Sequence, residues 1–96
     1  MPIWNDCKMS TLFYSEDDAS DNHPCVVKIT EQEILVEYDD DGLVQYRGRN
    51  DGSGHFLLAA PEVAGRASLH RFPDAKVLEG SWYEAGYRGM WRIQLG

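Results

Sequence analysis

Two histidines, a serine and a glutamate in the second half of the chain are residue types that metal, proton-transfer or hydrolytic chemistry uses. The alternation of apolar and polar residues there predicts β-strands, and it places His55 opposite His70 on neighbouring strands. Two imidazoles so placed can share a metal ion or a proton. Ser68, His70 and Glu79 are also the residue types that a hydrolase uses as nucleophile, base and acid. However, Ser68 and His70 are two residues apart on one strand, about 6 to 7 Å, which is too far for a nucleophile–base hydrogen bond.

The outward side chains His55, His70, Glu79 and Arg92 therefore form a candidate site on the surface of the predicted sheet. The alternative is a solvated sheet face, on which Glu79 and Arg92 form a cross-strand ion pair worth about 0.2 to 1 kcal/mol. Because the two histidines lack a third defined ligand, we expect no metal and no other cofactor, and we assign no catalytic residue. An enzyme is the least favoured of the functions considered.

A series of short β-type segments must position these side chains. They span residues 8–15, 25–30, 34–39, 43–49, 53–60, 65–72, 76–84 and 87–95. The breaks between them carry turn chemistry: Asp40-Asp41-Gly42 and Asn50-Asp51-Gly52 suit three-residue hairpin loops, and Ala85-Gly86 suits a two-residue loop. Consecutive strands without helices between them indicate an antiparallel meander.

The segment 76–95 sets the reference register for the other strands. If Glu84 pairs with Tyr87, Trp82 faces Gly89 and Gly80 faces Trp91, so that each tryptophan covers the bare backbone of a glycine. The register then continues through the pairs Leu69–Leu78, Ala67–Gly80, Phe56–Leu69, Leu58–Ala67, Tyr46–Phe56, Val44–Leu58, Val36–Tyr46 and Val27–Val36. All of these residues point to one side of the sheet, and a one-residue slip would turn a strand's apolar side chains outward.

The apolar side of such a sheet must be buried, and no helix is available to cover it. We therefore predict an all-β protein in which an antiparallel meander of seven or eight strands closes into a small up-and-down β-barrel. The alternative is a bent sheet or sandwich completed by dimerisation. We expect residues 1–96 to form a single domain, with an N-terminal strand at about 8–15 and a mobile loop at about 16–24.

The tripeptide Gly80-Ser81-Trp82, within LEGSWYEAG, resembles the glycine-x-tryptophan signature of the calycin barrels, the lipocalins and avidins. The resemblance implies an up-and-down antiparallel barrel, and it implies a small apolar or amphipathic ligand held in the lumen. In those families the signature tryptophan belongs to the first barrel strand, whereas Trp82 lies in the penultimate predicted strand.

Ligand binding in the lumen is accordingly one predicted function. The candidate ligand-binding residues are the inward aromatic side chains Tyr38, Tyr46, Phe56, Trp82 and Trp91, and the hydroxyls of Tyr38 and Tyr46 would fix the ligand. In the alternative, the inward side chains fill the lumen themselves, as they do in many small eight-stranded barrels. The inward set comprises Val27, Ile29, Ile34, Val36, Tyr38, Val44, Tyr46, Phe56, Leu58, Leu69, Leu78, Trp82, Trp91 and Ile93.

The outer face of the last strands suggests a second function, that of a structural or regulatory interaction module without a small-molecule ligand. Leu57, Val77, Tyr83 and Met90 are apolar residues among charged ones on this face, and such a mixture is typical of an interface. A homodimer through the outer sheet face is one form of this hypothesis.

The net charge of −7 limits the classes of partner. Acidic excess argues against binding to nucleic acid or to an anionic membrane surface, because both require basic patches. No apolar run is long enough to span a bilayer and no signal-peptide pattern is present, so we expect a cytoplasmic protein. Two cysteines are too few for a disulfide framework. Free thiols are expected at Cys7 and Cys25, with a bridge between them as the alternative.

Overall fold

Eight antiparallel strands follow one another in chain order around a closed barrel. The computed structural model describes residues 3–13, 18–39 and 42–96. Its strands are β1 (Ile3–Phe13), β2 (Asp18–Ile29), β3 (Glu33–Asp39), β4 (Leu43–Arg49), β5 (His55–Ala60), β6 (Gly65–His70), β7 (Val77–Glu84) and β8 (Tyr87–Gln94). A short 3-10 helix, Pro61–Val63, connects β5 to β6. The all-β class, the meander and its closure into a barrel are thus confirmed, and the sheet closes without a partner chain.

Closure depends on β1, which pairs with both β2 and β8. Alternation then divides the side chains between a lumen and an outer surface, as the burial pattern of β5 shows by switching at every residue. Every member of the predicted inward set is buried except Tyr38, which is half-buried. The core also contains Ala67, which the predicted register places on the same side, and five residues that were not predicted to face inward: Cys7, Met9, Cys25, Ala60 and Leu95.

The predicted register of the last hairpin is confirmed. Trp82 pairs with Gly89 and Gly80 with Trp91, and the turn at Ala85 and Gly86 has the positive φ values of a two-residue hairpin loop. The pairs Phe56–Leu69, Val36–Tyr46 and Val27–Val36 are confirmed as well.

Two predicted registers are wrong, each by an even number of residues. Leu69 pairs with Gly80 rather than with Leu78, and Ala67 pairs with Trp82 rather than with Gly80. The β4–β5 pairs Tyr46–Phe56 and Val44–Leu58 are replaced by Arg47–Ala59 and Gly48–Leu58. An even shift keeps every side chain on its own face, so the hydrophobic pattern cannot detect it. The staggering of strands that closes a barrel decides the register instead.

Close approach of main chains explains where these shifts occur. A Cβ atom on Gly48 would overlap the carbonyl of Leu57, and one on Gly80 would overlap the carbonyl of Ser68. Both glycines therefore let a neighbouring strand cross closer than a side chain would allow, which a straight hairpin does not require.

Several predicted strand ends also differ. β1 begins at Ile3 rather than near residue 8, and β5 begins at His55, which leaves a five-residue loop at 50–54. The predicted loop at 16–24 overlaps β2 from Asp18 onward, while residues 16 and 17 lie outside the described residues. Most of the predicted Asp40-Asp41-Gly42 turn lies outside them too. The Thr30 hydroxyl accepts hydrogen bonds from the Gln32 and Glu33 N–H groups, which makes the β2–β3 connection a single turn.

Candidate functional site

The predicted outer-face residues lie side by side in one row that crosses β5 to β8. His55 pairs with His70, His70 with Glu79, and Glu79 with Arg92. The Nδ1 atoms of the two histidines are 3.0 Å apart, and Arg92 Nε lies 3.8 Å from Glu79 Oε2. All four side chains are exposed. We call this line the histidine row; it continues to Ser10 on β1.

A second row, which was not predicted, runs parallel to the histidine row. Register pairs connect Arg47 of β4 through Ala59, Arg66 and Tyr83 to Arg88 of β8. We call it the arginine row. All five side chains are exposed, and neither Arg66 nor Arg88 forms an ion pair with any residue that the structure describes.

A third row, the central row, lies between the other two. It consists of Leu57, Ser68, Ser81, Met90 and Leu12. Its three apolar side chains are exposed, Leu57 by 67%. A groove of about 660 Å³ is lined by the arginine row and by Leu57, Ser68 and Ser81 of the central row. The three rows together are called the outer face.

The outer face is positively charged although the chain is acidic. It carries four arginines, Arg47, Arg66, Arg88 and Arg92, against the single carboxylate of Glu79. The sequence shows the same division: residues 1–42 contain eleven acidic and two basic residues, whereas residues 43–96 contain five acidic and seven basic ones. This asymmetry was the signal in the sequence that would have indicated the arginine row.

The predicted lumen residues pack mainly on one another. The ring centroids of Tyr46 and Trp91 are 4.9 Å apart in an edge-to-face contact, and Trp91 stacks on Trp82 at 6.1 Å. Tyr38 contacts both Tyr46 and Trp91. Phe56 is buried in the same core. The aromatic side chains thus contribute directly to the packing of the barrel.

The hydroxyl of Tyr46, which the ligand hypothesis assigns to a ligand, already has an internal partner. It donates a 2.6 Å hydrogen bond to Glu84 Oε1. Burial raises the pKa of Tyr46 far above its usual range, and the neighbouring carboxylate of Glu84 adds to the effect. Tyr46 is therefore a neutral donor that joins the core of β4 to the end of β7.

Cys7 and Cys25 form a directly opposed pair on β1 and β2, and both thiols are free and buried. The Cys7 Sγ donates to the carbonyl oxygen of Trp4 at 3.3 Å. Burial, together with the adjacent Cys7 thiol, raises the pKa of Cys25 from 9.0 to about 12. The Cys25 thiol is consequently a poor nucleophile at neutral pH.

This pKa predicts a loss of stability at alkaline pH. Below pH 9 the Cys25 thiol is protonated in both the folded and the unfolded chain, so its contribution is constant. Between about pH 9 and 12 the unfolded chain loses a proton that the folded chain retains, so the free energy of unfolding falls as pH rises. Urea denaturation from pH 8 to pH 10.5 measures the decrease. It should be smaller in Cys25→Ala, and an identical pH profile in the variant would contradict the assignment.

The described part of the chain contains no helix that is long and apolar enough to cross a membrane. Nor does it contain a group of three or more His, Cys, Asp or Glu side chains arranged to hold a metal ion.

The fold and the site define the class of protein: a small closed antiparallel barrel with a packed aromatic core and a basic outer face. The barrel is compatible with the calycin-like fold that Gly80 and Trp82 suggest. No family model, no curated protein and no solved structure matches the chain.

Proposed function

We propose that the protein is an interaction module whose outer face binds an acidic segment of a partner protein. The observation that carries the proposal is the arginine row, since its three arginines lie in one line on a chain with a net charge of −7. Arg66 and Arg88 lack an ionic partner among the described residues, so their charge is available to carboxylates.

The neighbouring rows add selectivity to this charge. Leu57 and Met90 of the central row are exposed by 67% and 40% and offer apolar contacts beside the arginines. The arginine row crosses five of the eight strands, a path of about 19 Å around the curved outer surface at the usual strand spacing. An extended segment that alternates acidic and apolar residues could place its carboxylates on the arginine row and its apolar side chains on the central row.

Charge also separates this partner from the alternatives. A homodimer that paired two outer faces would bring four arginines of one copy against four of the other, which repel. The net charge of −7 disfavours a long polyanion such as a nucleic acid, whereas a short acidic segment needs to contact only the outer face.

Binding of a short fluorescent peptide in which glutamate alternates with leucine tests the proposal by anisotropy. We expect Arg66→Glu to weaken binding by about tenfold, equivalent to about 1.4 kcal/mol, because it replaces an attraction by a repulsion. Added salt should weaken binding to the wild type. A peptide with lysine in place of glutamate should not displace the glutamate peptide.

The matched control is Lys28→Glu, which changes the net charge equally but lies on β2, away from the outer face. It should leave the affinity within about twofold. Equal effects of Arg66→Glu and Lys28→Glu would contradict the proposal, as would tighter binding of a single-stranded oligonucleotide. Dimerisation of the free protein that Leu57→Glu abolishes would assign the outer face to a second copy instead.

An apolar ligand in the lumen stays a prediction. Its strongest support is the calycin-like architecture, and the internal hydrogen bond of Tyr46 counts against it.

A further inference from the structure

The sequence predicts no metal, because the two histidines lack a third ligand. From their arrangement in the structure, we propose that His55 and His70 nevertheless bind a divalent transition-metal ion, with Cu²⁺ as the preferred ion. Both side chains are exposed and oppose each other directly on β5 and β6. The site does not depend on whether the outer face binds an acidic partner.

The two Nδ1 atoms are 3.0 Å apart in a hydrogen bond. Two adjacent ligands at metal–nitrogen bonds of about 2.05 Å and an angle near 90° lie about 2.9 Å apart, so both imidazoles can reach one ion by turning toward it without separating. Tetragonal Cu²⁺ and Ni²⁺ have such angles between adjacent ligands, whereas a tetrahedral ion would need a separation of about 3.3 Å. Among the divalent ions, Cu²⁺ binds nitrogen ligands most tightly.

The backbone on both sides of the pair is fixed by hydrogen bonds. The Arg71 N–H donates to the Gly54 carbonyl oxygen at 2.8 Å, which extends the β5–β6 ladder beyond the histidines. The His55 N–H donates to Ser53 Oγ at 3.3 Å, and that hydroxyl donates to Asp51 Oδ1 at 2.6 Å. A metal ion therefore requires adjustment of two imidazole rings rather than of the strands, which reduces the cost of binding.

One carboxylate of the histidine row, that of Glu79, lies next to the pair, on a face whose other charged side chains are arginines. Glu79 is the register partner of His70, and its 3.8 Å contact with Arg92 is long for an ion pair. The N–H and the hydroxyl of Ser53 both donate to Asp51 Oδ1, which holds this carboxylate in the loop that precedes His55. Since no group of three metal-ligating side chains is assembled in the described part of the chain, water would occupy the remaining coordination positions. Without the ion, one imidazole donates to the other through a single shared proton.

Titration of the full chain with Cu²⁺, followed by electron paramagnetic resonance and by isothermal calorimetry, tests the site. We expect one tight equivalent whose spectrum shows coordination by imidazole nitrogen. His55→Ala and His70→Ala should each weaken binding at least tenfold, and the double variant should lose the tight equivalent. Ni²⁺ and Zn²⁺ should bind more weakly than Cu²⁺.

The chain provides its own control, because His23 is the only other histidine and lies on β2. His23→Ala should keep the tight equivalent and its spectrum. Retention of the tight equivalent by the His55→Ala/His70→Ala variant would overturn the proposal, as would its loss in His23→Ala. Near-ultraviolet circular dichroism should be unchanged in the His55 and His70 variants, since both side chains are exposed, so a loss of binding would report on ligation rather than on folding.

Discussion

Trp91→Ala and Trp82→Ala are each expected to lower the free energy of unfolding by about 3 to 5 kcal/mol. The two indoles are only 3% and 6% exposed and stack on each other at 6.1 Å. Trp91 also packs edge-to-face against Tyr46, and Trp82 Nε1 donates to the Met90 carbonyl oxygen at 3.3 Å. Truncation leaves a cavity that the surrounding strands cannot fill, because their main chains are tied into a closed barrel. Urea denaturation followed by far-ultraviolet circular dichroism measures the change.

Leu57→Ala provides the matched control, because it removes an apolar side chain from the outer surface of the same barrel. Leu57 is 67% exposed, so its truncation should change the free energy of unfolding by no more than about 0.5 kcal/mol. A large effect of Leu57→Ala together with a small effect of the tryptophan variants would mean that the lumen and the outer surface are interchanged.

The alternation of side chains makes the division between lumen and surface predictable from the sequence. Leu78, Gly80 and Trp82 alternate with Glu79 and with polar neighbours, and only one phase of such a pattern buries the apolar residues. The β7–β8 register was predictable as well, since a two-residue turn at Ala85-Gly86 leaves no freedom in the pairing.

The β4–β5 and β6–β7 registers were not predictable by the same means. The connections 50–54 and 71–76 are longer than a tight turn, so several registers that differ by two residues bury the same side chains. The choice among them depends on long-range geometry, namely the stagger that closes the barrel and the close approach of main chains at Gly48 and Gly80.

These registers decide which residues share a row, and so they decide the candidate site. With the predicted registers, Arg66 would face Ser81 and Arg47 would face His55. The observed registers instead place Arg66 opposite Tyr83 and Arg47 opposite Ala59, which assembles the arginine row. The sequence correctly predicted that the outer-face residues lie on one surface. It did not predict that His70 pairs with Glu79, because that pairing depends on the two-residue shift of the β6–β7 register. The sequence shows which residue types each strand carries, whereas their alignment across strands depends on the stagger that closes the barrel.

Gly89→Ala is expected to destabilise the barrel by about 3 kcal/mol or more, above the usual cost of overpacking. Gly89 lies on β8 where β1 closes the barrel, and it pairs with Phe13. A Cβ atom there would overlap the main-chain oxygen of Leu12, and it would lie 3.1 Å from Cζ2 of Trp82. A main-chain oxygen in a sheet cannot rotate away as a flexible side chain can, so β1 must separate from β8.

Gly86→Ala separates this effect from the general cost of replacing a glycine. It makes the same chemical change three residues earlier, at a position with open space and a φ of +90°, so only backbone strain of about 1 to 2 kcal/mol is expected. Urea denaturation compares the two variants, and hydrogen exchange locates the change. In Gly89→Ala the amides of β1 and β8 should lose protection before those of β3 and β4, because the ladder between β1 and β8 is the one that must open. Equal destabilisation by the two variants, with uniform exchange, would show that closure does not depend on the close approach at Gly89.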